Sequence, residues 1–119
     1  MEHIMIHNTN GNDNVERASL AFVVGNVARS ANQKATILLT IEGVWVAKKG
    51  YADGLQAHGF APLSELVQQF VEAGGQIWVC GACANPRNIT PADLVEGAEI
   101  IGAVTAVEAL VNGAKTLDF

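Results

Sequence analysis

The chain has 119 residues, of which 50% are hydrophobic and 16% are charged, and its formal net charge is −5. This length fits one domain, whose apolar residues suffice for a core without disulfide or metal staples. The largest basic cluster is the pair Lys48–Lys49, so the composition excludes the basic footprint of a nucleic-acid-binding protein. The small share of charged residues indicates that part of the surface is buried between subunits.

Neither end of the chain has the pattern of a targeting segment. Glu2 and His3 stand where a secretory signal has positive residues, and no apolar run approaches the roughly 18–20 residues of a membrane span. We therefore expect a cytoplasmic protein that does not contact a membrane. Thiols are mostly reduced in that compartment, which favours catalysis, redox chemistry or metal binding over a structural disulfide for two nearby cysteines.

Two strands and a helix are predicted in the first part of the chain. The apolar run HIMIH, residues 3–7, predicts a strand, and the turn-rich NTNGNDN after it predicts a loop. Residues 15–32 have apolar side chains at helical spacing, and Asn14 fits the N-cap position. The run KATILLTI, residues 34–41, lacks polar alternation, which is typical of a strand covered on both faces. Residues 42–50 either prolong this strand or form a short helix.

The rest of the chain continues the alternation. Residues 50–59 predict a loop, and Pro62 begins a helix that ends at a pair of glycines. QIWVC, residues 76–80, predicts the third strand, and Thr90 fits the N-cap of a short helix with a capping box. Alternation with short links predicts a single α/β domain over residues 1–119, with a mainly parallel sheet and helices on both faces. A fourth strand, a last helix and a final strand are predicted over AEII, AVTAVEALVNG and KTLDF.

Both cysteines lie where such sheets perform their chemistry. Ligands and catalysis gather at the carboxyl ends of the strands, and Cys80 is the last residue of the third strand. If the chain turns helical after it, the helix N-terminus favours the thiolate. Arg87 is near enough in sequence to add a positive charge, and Gly81 leaves room above the sulfur. Cys83 then lies one helical turn away, within reach of a persulfide or sulfenate on Cys80.

Other interpretations of the two cysteines remain open. Free cysteines are often small core residues, which would make the pair structural. A zinc site needs about four ligands. Beyond the carboxylates the chain offers only three histidines, and it has no second C-x-x-C, so we expect no metal. We also expect no cofactor, because the chain lacks G-x-G-x-x-G and Walker motifs.

Two further segments have alternative interpretations. His58 lies in the loop GYADGLQAHGFAP, where it is a candidate general base or ligand for the Cys80 site, although the loop is more simply explained as an ordinary solvated or interface loop. Val44, Trp45 and Val46 are adjacent and apolar, so at least one points away from the core of its own subunit. The three residues either serve core packing alone or include a contact with a second subunit.

The segment VCGACANPRNI resembles the cysteine segment of the DsrE/DsrF-like (TusD-related) family of small sulfur-relay proteins, with a strand ending in Cys, then small residues, then Arg. LLTIEGVWVAKKG is similar to the aliphatic strand of that family and the glycine-containing segment after it. VEGAEIIGAVTAVEALVNGAKTLDF is similar to the closing region of the family, and the resemblance covers nearly the whole chain.

This resemblance implies a doubly covered, five-stranded α/β domain that assembles into homotrimers or homohexamers. It implies that Cys80 accepts sulfur as a persulfide, and Arg87 matches the arginine of the family motif. Cys83 has counterparts in only part of the family. Asn88 departs from the pattern, since glycine is common at its position.

The sequence therefore predicts a sulfur carrier or sulfurtransferase subunit that receives sulfur on Cys80 from a donor protein and passes it to an acceptor protein. One alternative is a peroxiredoxin-like thiol redox protein in which Cys80 attacks and Cys83 resolves. The other is a non-catalytic oligomeric binding module in which the cysteines only pack. Whether the chain turns over a substrate is left open.

Overall fold

Five parallel strands form one sheet in the computed structural model, which describes residues 1–119. The strands are β1 (His3–Asn8), β2 (Lys34–Leu39), β3 (Gln76–Cys80), β4 (Ala98–Ile101) and β5 (Lys115–Asp118). The helices are α1 (Val15–Ser30), α2 (Leu63–Glu72), α3 (Gly81–Ala84) and α4 (Ala103–Val111). Short 3-10 segments span Asn12–Asn14, Ile41–Ala47, Asn85–Arg87 and Pro91–Asp93.

The order of the strands across the sheet is β4-β3-β2-β1-β5, and every neighbouring pair is parallel. Ile6 pairs in register with Ile37, and Ile37 with Ile77. Because all strands run the same way, their carboxyl ends meet at one edge of the sheet. Cys80 lies at this edge, as the alternation of strands and helices predicted.

The main core lies between the sheet and the helices α1 and α2. Ile6, Ile37 and Ile77 are fully buried on this face. Phe22 of α1 meets Phe70 of α2 edge to face, with ring centroids 5.8 Å apart and an interplanar angle of 89°. Such contacts add to the hydrophobic free energy of burying two aromatic rings.

Helix α4 lies on the opposite face of the sheet. Helices α1 and α2 follow connections that step in one direction across the sheet, whereas α4 connects the strands at the two edges. A right-handed connection therefore places α4 on the opposite face, so helices lie on both faces as predicted. None of its residues is buried, although Val104, Val107 and Val111 are apolar.

Two segments differ from the simplest expectation. The ambiguous stretch after β2 forms a 3-10 helix, Ile41–Ala47, because Ile41 has a φ of 56° and ends the extended conformation. The short helix predicted after Thr90 is a single 3-10 turn, although its capping box with Asp93 is present. None of the helices combines the length and the apolar character needed to cross a membrane.

Candidate functional site

Cys80 ends β3 and is the N-cap residue of α3, so the chain does turn helical directly after it. Its thiol is free and the residue is half-buried. Gly81 follows, and a Cβ at that position would lie 3.3 Å from both the Ile100 side chain and the Ile101 carbonyl oxygen. The space beside Gly81 is thus filled by β4, which brings the cysteine segment close to the neighbouring strand.

Cys83 lies within the single turn of α3, and it is also free and half-buried. Both cysteines contact the edge of the main core. The structure therefore brings the two thiols to one helical turn at the carboxyl edge of the sheet. That the Cys83 thiol reaches a persulfide or sulfenate on Cys80 stays a prediction.

Arg87 folds back onto the cysteine segment. Its Nη1 donates a hydrogen bond to the carbonyl oxygen of Cys83 at 3.0 Å, and its Nη2 donates to Oε1 of Glu42 at 2.9 Å. Arg87 makes no hydrogen bond to either sulfur. The positive charge thus lies beside the cysteine turn, and a carboxylate from another segment holds it there.

Glu42 was missed by the sequence reasoning, and the backbone explains its position. Ile41 adopts a left-handed conformation that is a genuine outlier for a β-branched residue. A Cβ on Gly43 would come within 2.3 Å of the Asn8 carbonyl oxygen, so only glycine fits against the end of β1. The signal in the sequence was a glutamate next to a glycine, directly after the second predicted strand.

Asn88 also has a left-handed backbone, with a φ of 57°. Glycine adopts this conformation without steric cost, and asparagine tolerates it better than most residues. The asparagine at this position therefore has a backbone conformation that glycine would adopt as well.

His58 is exposed in the loop before α2 and makes no hydrogen bond to Cys80, Cys83 or Arg87. No contact in the structure supports a role of His58 as a base or ligand, and this role stays a prediction. No three His, Cys, Asp or Glu side chains converge to hold a metal ion.

A different histidine, His7, is hydrogen-bonded at the carboxyl edge of the sheet. His7 Nε2 lies 2.7 Å from the hydroxyl of Thr40, and its Nδ1 lies 3.2 Å from Oδ1 of Asp118. His7 lies in β1, Thr40 directly follows β2 and Asp118 ends β5. These three strands are neighbours in the sheet. The sequence reasoning did not connect them because Asp118 lies 111 positions from His7.

Trp45 is the residue that turns away from the core among the three adjacent apolar residues. Val44 and Val46 are buried, while Trp45 is half-buried and stacks on Tyr51 with ring centroids 5.8 Å apart. A contact between Trp45 and a second subunit stays a prediction.

These features define a class of protein: a small parallel α/β domain with a free thiol pair at the carboxyl edge of its sheet. The chain matches the model of the DsrE/DsrF-like family over residues 2–119, and it belongs to that family.

Two archaeal proteins are similar in sequence. The chain is 37% identical over 105 residues to MJ0760 of Methanocaldococcus jannaschii, a match that covers 88% of this chain and 38% of that protein. It is 31% identical over 104 residues to MK0008 of Methanopyrus kandleri, covering 87% of this chain and 78% of that protein. The chain thus spans well under half the length of the first of these relatives.

Solved structures show the same fold. The ychN protein of E. coli superposes with a TM-score of 0.83 at 17% identity, over 100% of both chains. MTH1491 of Methanobacterium thermoautotrophicum superposes with a TM-score of 0.71 at 14% identity, also over 100% of both chains. At these identities the likeness establishes the fold, a five-stranded parallel sheet with helices.

Proposed function

We propose that this protein is a sulfur carrier or sulfurtransferase subunit that accepts sulfane sulfur as a persulfide on Cys80. The observation that supports this most strongly is the position of Cys80. It is a free, half-buried cysteine at the carboxyl end of β3, and α3 begins directly after it. Membership of the DsrE/DsrF-like family agrees with sulfur-relay chemistry.

The proposed transfer needs only sulfur chemistry. The Cys80 thiolate attacks the terminal sulfur of a donor persulfide, the donor sulfur–sulfur bond breaks, and the donor leaves as a thiolate. A new sulfur–sulfur bond makes Cys80 a persulfide. An acceptor thiolate then attacks its terminal sulfur and regenerates the Cys80 thiolate. Each step exchanges one sulfur–sulfur bond for another, so no external oxidant or reductant is required.

Arg87 has a supporting role in this proposal. Its guanidinium lies beside the cysteine turn through its bond to the Cys83 carbonyl oxygen, and Glu42 fixes its orientation. A positive charge near a cysteine favours the thiolate, which is the reactive form. We infer that Cys83 assists or only packs.

We also propose that the protein works as a homotrimer or homohexamer with donor and acceptor proteins in the cytoplasm. Val104, Val107 and Val111 are spaced three and four positions apart, so they lie on one side of α4, and all three are exposed. An exposed apolar stripe of this kind is typical of an interaction site. A reducing compartment suits two free thiols.

The test of sulfur loading is intact-protein mass spectrometry after incubation with polysulfide. We expect the mass of one or more sulfur atoms to appear on Cys80, to persist in the Cys83→Ser variant and to vanish in Cys80→Ser. A Cys80–Cys83 disulfide as the sole product, with rapid turnover of peroxide, would instead favour the thiol redox protein. Unreactive thiols in the native protein would favour the non-catalytic binding module.

A further inference from the structure

A cavity of about 400 Å³ lies beside the candidate site. We call it the lysine cavity, because two of its lining residues are adjacent lysines. It is lined by Asn12, Glu42, Trp45, Lys48, Lys49 and Tyr51. Another cavity, of about 350 Å³, lies along α2, and Lys48 lines both cavities. Neither cavity is lined by Cys80, Cys83 or Arg87, but Glu42 of the lysine cavity is the ion-pair partner of Arg87.

The aromatic wall of the lysine cavity is held in place by several contacts. The rings of Trp45 and Tyr51 stack with an interplanar angle of 15°, and Lys48 Nζ lies 5.5 Å from the centroid of the Trp45 ring. The Tyr51 hydroxyl accepts a hydrogen bond from the backbone N–H of Asn12 at 2.9 Å. The loop after β1 and the segment after β2 are thereby joined around a preformed cavity.

The charges around the lysine cavity leave it positive. Neither Lys48 nor Lys49 forms an ion pair, although the protein as a whole is acidic. Glu42 is the only carboxylate in the lining, and its charge is offset by Arg87 at 2.9 Å. The Asp93 carboxylate lies near both lysines and offsets part of their charge, but it does not line the cavity.

We propose that the lysine cavity binds a small dianion, either an oxyanion such as sulfate or a sulfur-bearing anion such as thiosulfate. The two ammonium groups have no ion-pair partner, although Lys49 Nζ donates a hydrogen bond to the Ala92 carbonyl oxygen at 3.4 Å. Together they attract a doubly charged anion more strongly than a singly charged one. This binding needs no thiol chemistry, so it can be tested independently of the proposed sulfur transfer.

The location gives such a ligand a connection with the cysteines. Glu42 lines the lysine cavity and also accepts the hydrogen bond from Arg87, which in turn donates to the Cys83 carbonyl oxygen. The ion pair between Glu42 and Arg87 therefore connects the lysine cavity with the cysteine turn.

The experiment titrates thiosulfate and sulfate into the Cys80→Ser/Cys83→Ser double variant and follows tryptophan fluorescence, with sodium chloride at equal ionic strength as reference. Trp45 lines the cavity and reports on it, whereas Trp78 is buried elsewhere. We expect saturable binding of both dianions with a Kd of about 1 mM. Equal affinities identify recognition of charge alone, and tighter thiosulfate binding identifies a sulfur-bearing ligand.

Adding Lys48→Met/Lys49→Met should weaken this binding about fivefold or more. The matched control is Lys34→Met/Lys115→Met, which changes the net charge equally but away from the cavity, and it should leave the Kd within about twofold. A fluorescence response no greater than that to sodium chloride would overturn the proposal. So would equal affinities of the two double-lysine variants, with circular dichroism establishing that both are folded.

Discussion

The two faces of the sheet differ in how completely this chain covers them. On the α1 and α2 face, Phe22 and Phe70 are fully buried and pack edge to face. On the α4 face, the helix has no buried residue, and Val104 and Val111 are 69% and 79% exposed. The first face therefore supplies the stability of the single chain, while the second leaves apolar surface for another molecule to cover.

Removing Phe70 tests the stabilising face and has the largest expected effect. Phe70→Ala deletes a fully buried ring between α2 and the sheet, so it should lower the free energy of unfolding by about 3–5 kcal/mol. The neighbouring exposed residue gives the control, Gln69→Ala, which should change it by less than about 0.5 kcal/mol. Equal effects in urea denaturation would mean that the core lies elsewhere.

A charge on the α4 stripe tests the incomplete face. Val107→Glu places a carboxylate where we expect a second subunit, and burying that charge is costly, so the trimer or hexamer should dissociate. Light scattering at micromolar concentration measures the assembly. Val27→Glu, the same change at an exposed valine of α1, is the control and should leave the assembly intact. A wild-type protein with the mass of a single chain would contradict the prediction.

Arg87→Ala tests the charge beside the cysteine turn, at the edge where both faces end. Losing the guanidinium should slow alkylation of Cys80 by iodoacetamide about threefold at neutral pH. The measurement uses Cys83→Ser as background and Arg17→Ala, at an exposed position of α1, as control. An unchanged rate would leave Arg87 with a structural role only.

The smallest expected effect concerns pH and lies at the opposite end of β1. Burial, followed by the charge of Lys34, lowers the pKa of His3 below its ordinary value of 6.5. The unfolded chain therefore binds a proton that the folded chain does not, so His3 should reduce stability as the pH falls below about 6.5. Comparing unfolding free energies of wild type and His3→Gln at pH 7.5 and pH 5.5 measures this. A gap between the two proteins that does not change with pH would exclude it.

Most of the strands and helices of the α1 and α2 face were predictable from the sequence, whereas few of the contacts around the candidate site were. Continuous apolar runs such as KATILLTI marked the buried strands, because a strand covered on both faces needs no polar alternation. The pairing of Glu42 with Arg87 was not predictable, since 45 positions separate them and Ile41 adopts an unusual backbone. Residues 42–50 were ambiguous because Val44 and Val46 fit either a strand or a helix.

The position of the cysteines at the edge of the sheet was predictable from the sequence, whereas the placement of the His58 side chain relative to them was not. Alternation of strands and helices predicted a mainly parallel sheet, and Cys80, as the last residue of its strand, was expected at the carboxyl edge of that sheet. His58 was placed near the site by the same reasoning, yet its side chain is exposed and makes no hydrogen bond to the site. Loop side chains follow local turn geometry, which the order of elements does not determine.

The central claim is that Cys80 both receives and releases sulfur. The most direct measurement loads Cys83→Ser with polysulfide, removes the excess, adds a small-molecule thiol as acceptor and follows the intact mass over time. Our account predicts one added sulfur atom on Cys80, its loss to the acceptor as a persulfide, and recovery of a free thiol that can be loaded again. Failure to load, or sulfur that stays bound when the acceptor is present, would contradict it.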